Sequence, residues 1–197
     1  MTTSLTDLLQ QAEDRRAGLI AALEAEDTNI YRLFHGSVEG HPGLTVDRYG
    51  DLLLVQSFHH TLPDDELLEL SNYYQRRHPE LELIYNDRGG NNSRIRNPLT
   101  AERQERAELP RIAKEMGISY HIQARHDGQD PWLFLDLRAA RRRVRELAAG
   151  KSRYSTCLPT PAASGWRQPR AARSSCSTST LPNPARPWAA PTPNSTA

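Results

Sequence analysis

The chain changes character near residue 152, and this change limits how much of it can fold. Over residues 153–197 there is no Asp, Glu, Lys, Ile, Val, Phe or Met, and Pro, Ser, Thr, Ala and Arg supply nearly every position. A segment of this composition cannot bury enough apolar surface to offset the entropy cost of ordering its backbone. We therefore predict a disordered tail over 153–197 that follows a folded part over residues 1–152.

The charge of the chain also divides at this boundary. The formal net charge is +1, but the tail holds five Arg and no acid, so the part predicted to fold is slightly acidic. A basic signal for nucleic acid over the whole chain is absent. Both cysteines, Cys157 and Cys176, lie in the tail and form neither a disulfide framework nor a metal site.

Two further classes of protein are disfavoured by the sequence. No apolar run approaches the roughly 20 residues of a membrane span, which predicts a cytoplasmic protein without a membrane partner. The seven histidines are scattered without the spacing of metal ligands. His59 and His60 are adjacent on a predicted strand and would point to opposite faces, so we expect no metal site.

The amino-terminal segment has the periodicity of a single amphipathic helix over residues 1–27. Apolar residues recur at spacings of three and four from Leu5 to Leu23, and Ser4 or Thr6 is available as the cap. Apolar stripes at this period usually face the core of their own domain, and we favour that over recognition of a partner.

Residues 28–125 predict a small α+β domain with the order strand, strand, helix, strand, strand. Two antiparallel strands are expected to meet at a turn over 49–51, and a helix follows Pro63. Later strands are expected over 81–86 and 119–124. A second helical stretch is expected over 102–116, which Pro110 divides into two short pieces.

An apolar stretch followed by an arginine-rich helix ends the part predicted to fold. It reads Gly128-Gln-Asp-Pro-Trp-Leu-Phe-Leu-Asp-Leu-Arg-Ala-Ala-Arg-Arg-Arg-Val-Arg145. Asp136 stands where the helix begins, a favourable place for an anion. The arginines form either a solvated face or a surface that contacts RNA phosphates. The candidate RNA-binding residues are Arg48, Arg141, Arg142, Arg143 and Arg145.

Two motifs resemble a family of bacterial 23S ribosomal RNA large-subunit methyltransferases. The stretch Leu133-Phe-Leu-Asp-x-Arg-x-Ala-Arg-Arg142 is similar to the segment that opens the catalytic domain of that family. The stretch Pro42-Gly-Leu-x-Val-Asp-Arg-Tyr-Gly-Asp51 is similar to its amino-terminal domain. Together the resemblance covers about residues 30–152.

The resemblance implies an RNA-presenting domain over 28–125 and the start of a class I, Rossmann-like methyltransferase domain over 126–152, of which only the first hairpin and helix are present. The intact family uses S-adenosylmethionine to methylate a base of 23S ribosomal RNA at cytosine C5 or guanine N7. The run 140–142 favours the N7 branch, although Pro131-Trp132 replaces the Thr-Gly of many relatives. By resemblance, Phe134, Asp136 and Arg138 lie near the cofactor pocket.

A shift of reading frame offers one explanation of the tail. In this family the helix leads into a hydrophobic strand, a glycine-bearing cofactor loop and an acid that binds ribose hydroxyls, and none of these follows residue 152 here. If each codon starts one nucleotide earlier, the genetic code permits VLNLFAYTCGVG, then LNVDFAES, then RANAELNG. These strings have the order of the family's cofactor loop, acidic strand end and following helix.

The frame hypothesis makes the chain a truncated methyltransferase that neither binds S-adenosylmethionine nor catalyses, with no catalytic residue of its own. A genuine Arg/Pro/Ser/Thr-rich linker or nucleic-acid-binding arm is the alternative for the tail. The alternative function is a non-catalytic RNA-binding module with a basic helix. A third possibility is a degraded fragment, since the apolar run 132–135 would lack a sheet to pack on.

Overall fold

The computed structural model describes residues 4–90, 94–125 and 131–149. The chain divides into two compact units, one up to Arg138 and one from Ala139 onward. The tail predictions for 153–197 lie outside the described residues, and so does part of the predicted start of the methyltransferase domain.

The first helix, α1, spans Leu5–Ala25 and confirms the predicted amino-terminal helix. Ser4 caps it through a capping box, in which the Ser4 hydroxyl accepts from the Asp7 amide and the Asp7 carboxylate accepts from the Ser4 amide. Leu9 is completely buried against the sheet, together with Leu5 and Leu23. The apolar stripe of α1 therefore packs on the core of its own unit.

A four-stranded sheet forms the centre of the first unit. Its strands lie in the order β1-β2-β3-β4, antiparallel for the first two pairs and parallel for β3 with β4. A helix must connect the parallel pair, because such strands cannot be joined by a tight turn. The elements are β1 Ile30–His35, α2 Gly36–Glu39, β2 Leu44–Tyr49, β3 Leu52–Phe58, α3 Asp64–Arg77 and β4 Glu82–Arg88.

Both faces of this sheet are covered, which explains why β3 is almost continuously apolar and buried. One face packs against α1 and α3 in a core that includes Phe34, Leu53 and Tyr74. The other face packs Leu52 and Leu54 against a second layer. This layer consists of α4 Ala101–Glu108, β5 Arg111–Glu115 and β6 Ile118–Ile122.

The structure confirms the mixed α+β class and corrects the predicted order of elements. The prediction of a helix over 102–116 is wrong in its second half, because Arg111–Glu115 is a strand paired with β6. Met116 and Gly117 form the two-residue connection, both at positive φ, as tight hairpins require. The predicted order also omits β1, whose pairing with β2 shifts between Arg32 and Phe34 and so breaks a simple alternation.

A buried guanidinium connects the second layer to the sheet. Arg125 donates to the side-chain oxygen of Asn86 at 2.8 Å and to the carbonyl oxygens of Tyr85 and Asn97 at 3.1 and 3.0 Å. The Asn97 side chain accepts a further bond at 2.9 Å. These four acceptors are neutral, and burial lowers the pKa of Arg125.

The second unit is described over residues 139–149. It contains most of α5, which spans Arg138–Ala148 after a 3-10 turn at Leu135–Leu137. The helix carries the predicted arginine cluster, and Arg142, Arg143 and Arg145 are exposed.

Glu13 links α1 to α3 and provides a test of the packing between these helices. The Tyr73 hydroxyl and Arg77 Nε donate to Glu13 Oε2 at 2.9 and 2.6 Å, and His78 Nε2 lies 3.4 Å from Oε1. Burial raises the pKa of Glu13, but hydrogen bonds from His78, Arg77 and Tyr73 together outweigh it and lower the pKa below 4.5.

We expect Glu13→Gln to lower the free energy of unfolding by about 1–2 kcal/mol at neutral pH, because it removes charge-assisted hydrogen bonds. A depressed pKa contributes stability above the unfolded-state pKa and loses it as the pH falls through the folded-state pKa. In denaturant titrations, the difference in the free energy of unfolding between the unmodified chain and Glu13→Gln should therefore be smaller below pH 4 than at pH 7. Glu105→Gln, at an exposed position on α4, is the control; an equal Glu13→Gln effect at both pH values would contradict this account.

Candidate functional site

A cavity of about 610 Å³ lies at the β1 edge of the sheet, within the first unit. Its wall combines side chains from α1, the first three strands and residues 131–138. All three residues predicted to lie near a cofactor, Phe134, Asp136 and Arg138, line this cavity. Strand residues His35 and Gln56 line it too. The structure thus brings the three predicted residues together with sheet residues that were not predicted.

Residues 131–138 are held on the sheet unit by contacts at both ends of the segment. Leu133 is buried in the second core, and its carbonyl accepts from the Tyr49 hydroxyl at 3.3 Å. At the other end, Arg138 Nε donates to Glu115 Oε2 at 2.8 Å, and Arg138 Nη2 donates to the Ile30 carbonyl. Phe134 and Asp136 lie between these two anchors and are exposed.

The ion pair with Glu115 is enough to explain the position of the Arg138 side chain, and no ligand is needed to hold it there. The Glu115 side chain is fully buried on β5, whereas that of Arg138 is 19% exposed. A buried carboxylate is stable as an ion only where cations and hydrogen-bond donors compensate the loss of water. Arg138 therefore supports the segment, and its assignment to cofactor binding stays a prediction, as do those of Phe134 and Asp136.

A second ion pair forms part of the cavity wall. Arg32 on β1 contacts both carboxylate oxygens of Asp47 on β2, at 2.7 and 3.0 Å. Hydrogen bonding to Asp47 raises the pKa of Arg32, and the nearby Asp136 carboxylate adds a smaller attraction. Burial raises the pKa of Asp47, which opposes its ionisation, and Arg32 offsets part of this cost. The pair is nearly neutral as a whole and fixed in place.

Three polar side chains form a row across the sheet on the same face as this ion pair. The strand register places His35 opposite Thr45 and Thr45 opposite Gln56. Three buried atoms of this row, His35 Nδ1, Thr45 Oγ1 and Gln56 Nε2, have no hydrogen-bond partner among the described residues. The sequence contained one usable signal for the row, since Gln56 interrupts the apolar run of β3.

The predicted RNA-binding residue Arg48 is engaged inside the first unit. Its Nη1 donates to the Tyr31 hydroxyl at 2.9 Å, its Nε donates to the Gly50 carbonyl at 3.0 Å, and Glu24 lies 3.7 Å away. Burial, with the hydrogen bond to Glu24, raises the pKa of Tyr31 to about 12. These contacts position Arg48 without RNA, and its role in binding stays a prediction.

The remaining candidate RNA contacts lie on α5 in the second unit. Arg143 pairs with Glu146 at 3.0 Å on the exposed surface of the helix. A surface pair of this kind contributes little to stability. The roles of Arg141, Arg142, Arg143 and Arg145 in RNA binding stay predictions.

Across residues 4–90, 94–125 and 131–149, no group of three or more His, Cys, Asp or Glu side chains could hold a metal ion. No helix in those ranges is both long and apolar enough to cross a membrane.

Sequence comparison identifies relatives, although no protein-family model matches the chain. The chain is 30% identical over 159 residues to the "Putative ribosomal RNA large subunit methyltransferase YwbD" of Bacillus subtilis, covering 75% of this chain and 37% of that protein. It is also 30% identical over 178 residues to the "Ribosomal RNA large subunit methyltransferase" of Deinococcus radiodurans, covering 77% and 39%.

Structural comparison agrees with the sequence relatives. A structure described as "a putative methyltransferase complexed with SAH" aligns with a TM-score of 0.55 at 24% identity, which shows the shared fold. A second, described as "a putative sam-dependent methyltransferase from Streptococcus mutans", aligns with a TM-score of 0.56 at 25% identity. Each alignment covers 77% of this chain and 38% of the other.

In sequence and in fold, the chain is therefore similar to S-adenosylmethionine-dependent methyltransferases. Within that class, its sequence relatives are named as ribosomal RNA large-subunit methyltransferases, and S-adenosylmethionine is the cofactor of their family. The chain spans less than two fifths of the length of the relatives it matches.

The ion pair between Glu115 and Arg138 should dominate the docking of residues 131–138. We expect Arg138→Ala to lower the free energy of unfolding by on the order of 3 kcal/mol, because it removes a cation from a buried carboxylate. Arg143→Ala, at the exposed pair on α5, should change it by less than about 0.5 kcal/mol.

Thermal and denaturant unfolding would measure both variants. The double variant Arg138→Ala with Glu115→Gln should recover part of the loss, since its buried side chain carries no charge. Equal small effects of Arg138→Ala and Arg143→Ala would show that the pair does not hold the segment.

Proposed function

We propose that this chain is the RNA-presenting part of a cytoplasmic ribosomal RNA methyltransferase and does not itself catalyse methyl transfer. In this proposal, residues 28–125 present RNA and residues 126–152 begin the methyltransferase domain. The observation that carries it is the anchored segment 131–138, which displays Phe134 and Asp136 beside the cavity while Leu133 and Arg138 hold it to the sheet unit.

The described residues fit the family's cofactor only in part. When bound, S-adenosylmethionine supplies an electrophilic methyl group on a sulfonium centre. Asp136 would accept hydrogen bonds from hydroxyl or ammonium groups, and the 45% exposed Phe134 ring would offer a flat contact. Arg138 is occupied by Glu115. In sequence, residues 153–197 contain a single glycine and no acid, so they do not supply the loop and carboxylate expected to complete the site.

The RNA role rests on the charged residues of the chain. Phosphate contacts supply most non-specific affinity and make binding fall steeply with salt. The arginines at 142, 143 and 145 are exposed on α5, where they would neutralise phosphates. Catalysis would require the orientation of a methyl donor and an extruded base within one site.

Calorimetry with S-adenosylmethionine and a salt titration of RNA affinity test the two parts of this proposal on the full chain. We expect no measurable binding of S-adenosylmethionine. We expect the chain to bind RNA, with the logarithm of the binding constant falling linearly as the logarithm of the salt concentration rises. Saturable binding of S-adenosylmethionine would contradict the proposal that the chain does not catalyse methyl transfer. Absence of RNA binding at low salt would overturn the RNA-presenting role.

Charge removal on α5 should act on the salt dependence of RNA binding. We expect Arg142→Gln with Arg143→Gln to reduce the magnitude of the salt slope by about 2, since each phosphate contact contributes roughly 1. Arg103→Gln, an exposed arginine on α4, is the matched control and should leave the slope unchanged. Fluorescence anisotropy with a ribosomal RNA fragment measures the salt slope for the unmodified chain, the double variant and the control. An equal reduction of the slope in the control would contradict the assignment of the phosphate contacts to α5.

We also propose that the tail arises from a one-nucleotide loss near codon 153. The relatives align with 75–77% of the chain, and residues 1–152 make up about 77% of it, so the aligned share has the length expected if the sequence changes near that point. Sequencing the gene across codons 148–158 tests this. The expected result is an extra nucleotide that restores the family's cofactor loop; an intact frame encoding the printed tail, without a continuation in the other register, would refute it.

A further inference from the structure

The polar row of His35, Thr45 and Gln56 has the character of a binding surface. Thr45 and Gln56 are 7% and 5% exposed, yet each has a buried polar atom without a partner among the described residues. The third such atom is His35 Nδ1, on the adjacent strand. Burying an unsatisfied donor or acceptor costs stability, and three neighbouring cases on one sheet face are unlike an ordinary core.

These atoms offer complementary hydrogen-bonding capacity. The Gln56 amide nitrogen only donates, the Thr45 hydroxyl donates or accepts, and His35 Nδ1 does either according to its tautomer. Side chains directly opposite on neighbouring strands lie about 5 Å apart, so two of them can contact one edge of a flat polar molecule. His35 and Gln56 both line the cavity, and the strand register places Thr45 between them.

The surroundings of the row favour a flat, neutral ligand. Phe58 and Phe134 line the same cavity and offer aromatic surfaces, and the guanidinium of Arg88 lies over the Phe58 ring at 5.6 Å. The charged groups nearest the row along β1 and β2, Arg32 and Asp47, neutralise each other. A phosphate or carboxylate would therefore gain little there. The volume of about 610 Å³ falls within the range of small-ligand sites.

We infer that the row formed by His35, Thr45 and Gln56 binds the hydrogen-bonding edge of an RNA base held out of its stack. This inference rests on the proposed RNA-presenting role and assigns base selection to the sheet unit. Enzymes that act on a base read its edge by hydrogen bonds and hold its faces between apolar side chains. The adenine of S-adenosylmethionine has similar chemistry, but the row lies on the sheet, in the part proposed to present RNA.

Four RNA homopolymers of ten nucleotides, one for each base, test the inference with the full chain. Their backbones are alike, so differences in affinity at fixed salt report base recognition, whereas the salt slope reports phosphate contacts. We expect one homopolymer to bind about tenfold more tightly than the others. Gln56→Glu, which replaces the donating amide with an acceptor, should remove or redirect this preference and leave the salt slope unchanged.

Two further variants separate recognition from folding. Gln11→Glu makes the same chemical change at an exposed position of α1 and should alter neither the base preference nor the salt slope. Gln56→Leu removes the unsatisfied amide, so it should preserve or raise the melting temperature while the base preference falls about tenfold.

The outcomes distinguish this inference from the proposed function. No RNA binding by the unmodified chain would refute the proposed function itself. Equal affinity for all four homopolymers, or a preference that survives Gln56→Leu, would overturn the base-binding role of the row while leaving RNA binding intact. Loss of the preference upon addition of S-adenosylhomocysteine, with saturable binding of that compound, would reassign the row to the adenine of the cofactor and also overturn it.

Discussion

The ion pair between Glu115 and Arg138 determines how the parts of the first unit meet. Glu115 comes from the second layer, Arg138 ends the anchored segment, and the same guanidinium reaches the Ile30 carbonyl on the edge strand. One charged group therefore joins three separate stretches of chain. Because the carboxylate is fully buried, the geometry is tightly constrained. This constraint also limits the shape of the neighbouring cavity, since Phe134 and Asp136 lie only four and two residues before Arg138.

The two faces of the sheet differ in polarity. The face covered by α1 and α3 is apolar and is reinforced at the helix interface by Glu13. The opposite face is apolar where α4 and the β5–β6 hairpin cover it, and polar where the row from His35 to Gln56 lies. The same strands thus present one wholly apolar packing face and one face that is in part polar.

The sequence predicted the elements whose signals are local. Helix α1 follows from its cap and periodicity, and the β2–β3 turn from Gly50-Asp51. Strand β1 could not be found by alternation because a register shift interrupts it. Strand β5 resembled a helix because its pairing partner, β6, is what makes it extended. The motif around Arg138 marked an important residue, but its contact with Glu115 joins residues 23 positions apart and becomes visible only in three dimensions. The row at Thr45 likewise depends on register.

The anchoring contacts described for the first unit all lie before Ala139, and this has a consequence for synthesis of the chain. A ribosome that has released residues up to Arg138 has already delivered both cores, the Arg125 network and the pair at Glu115. The unit can therefore fold before the following codons determine what comes next. An error of frame downstream would leave a stable product instead of an unfolded one.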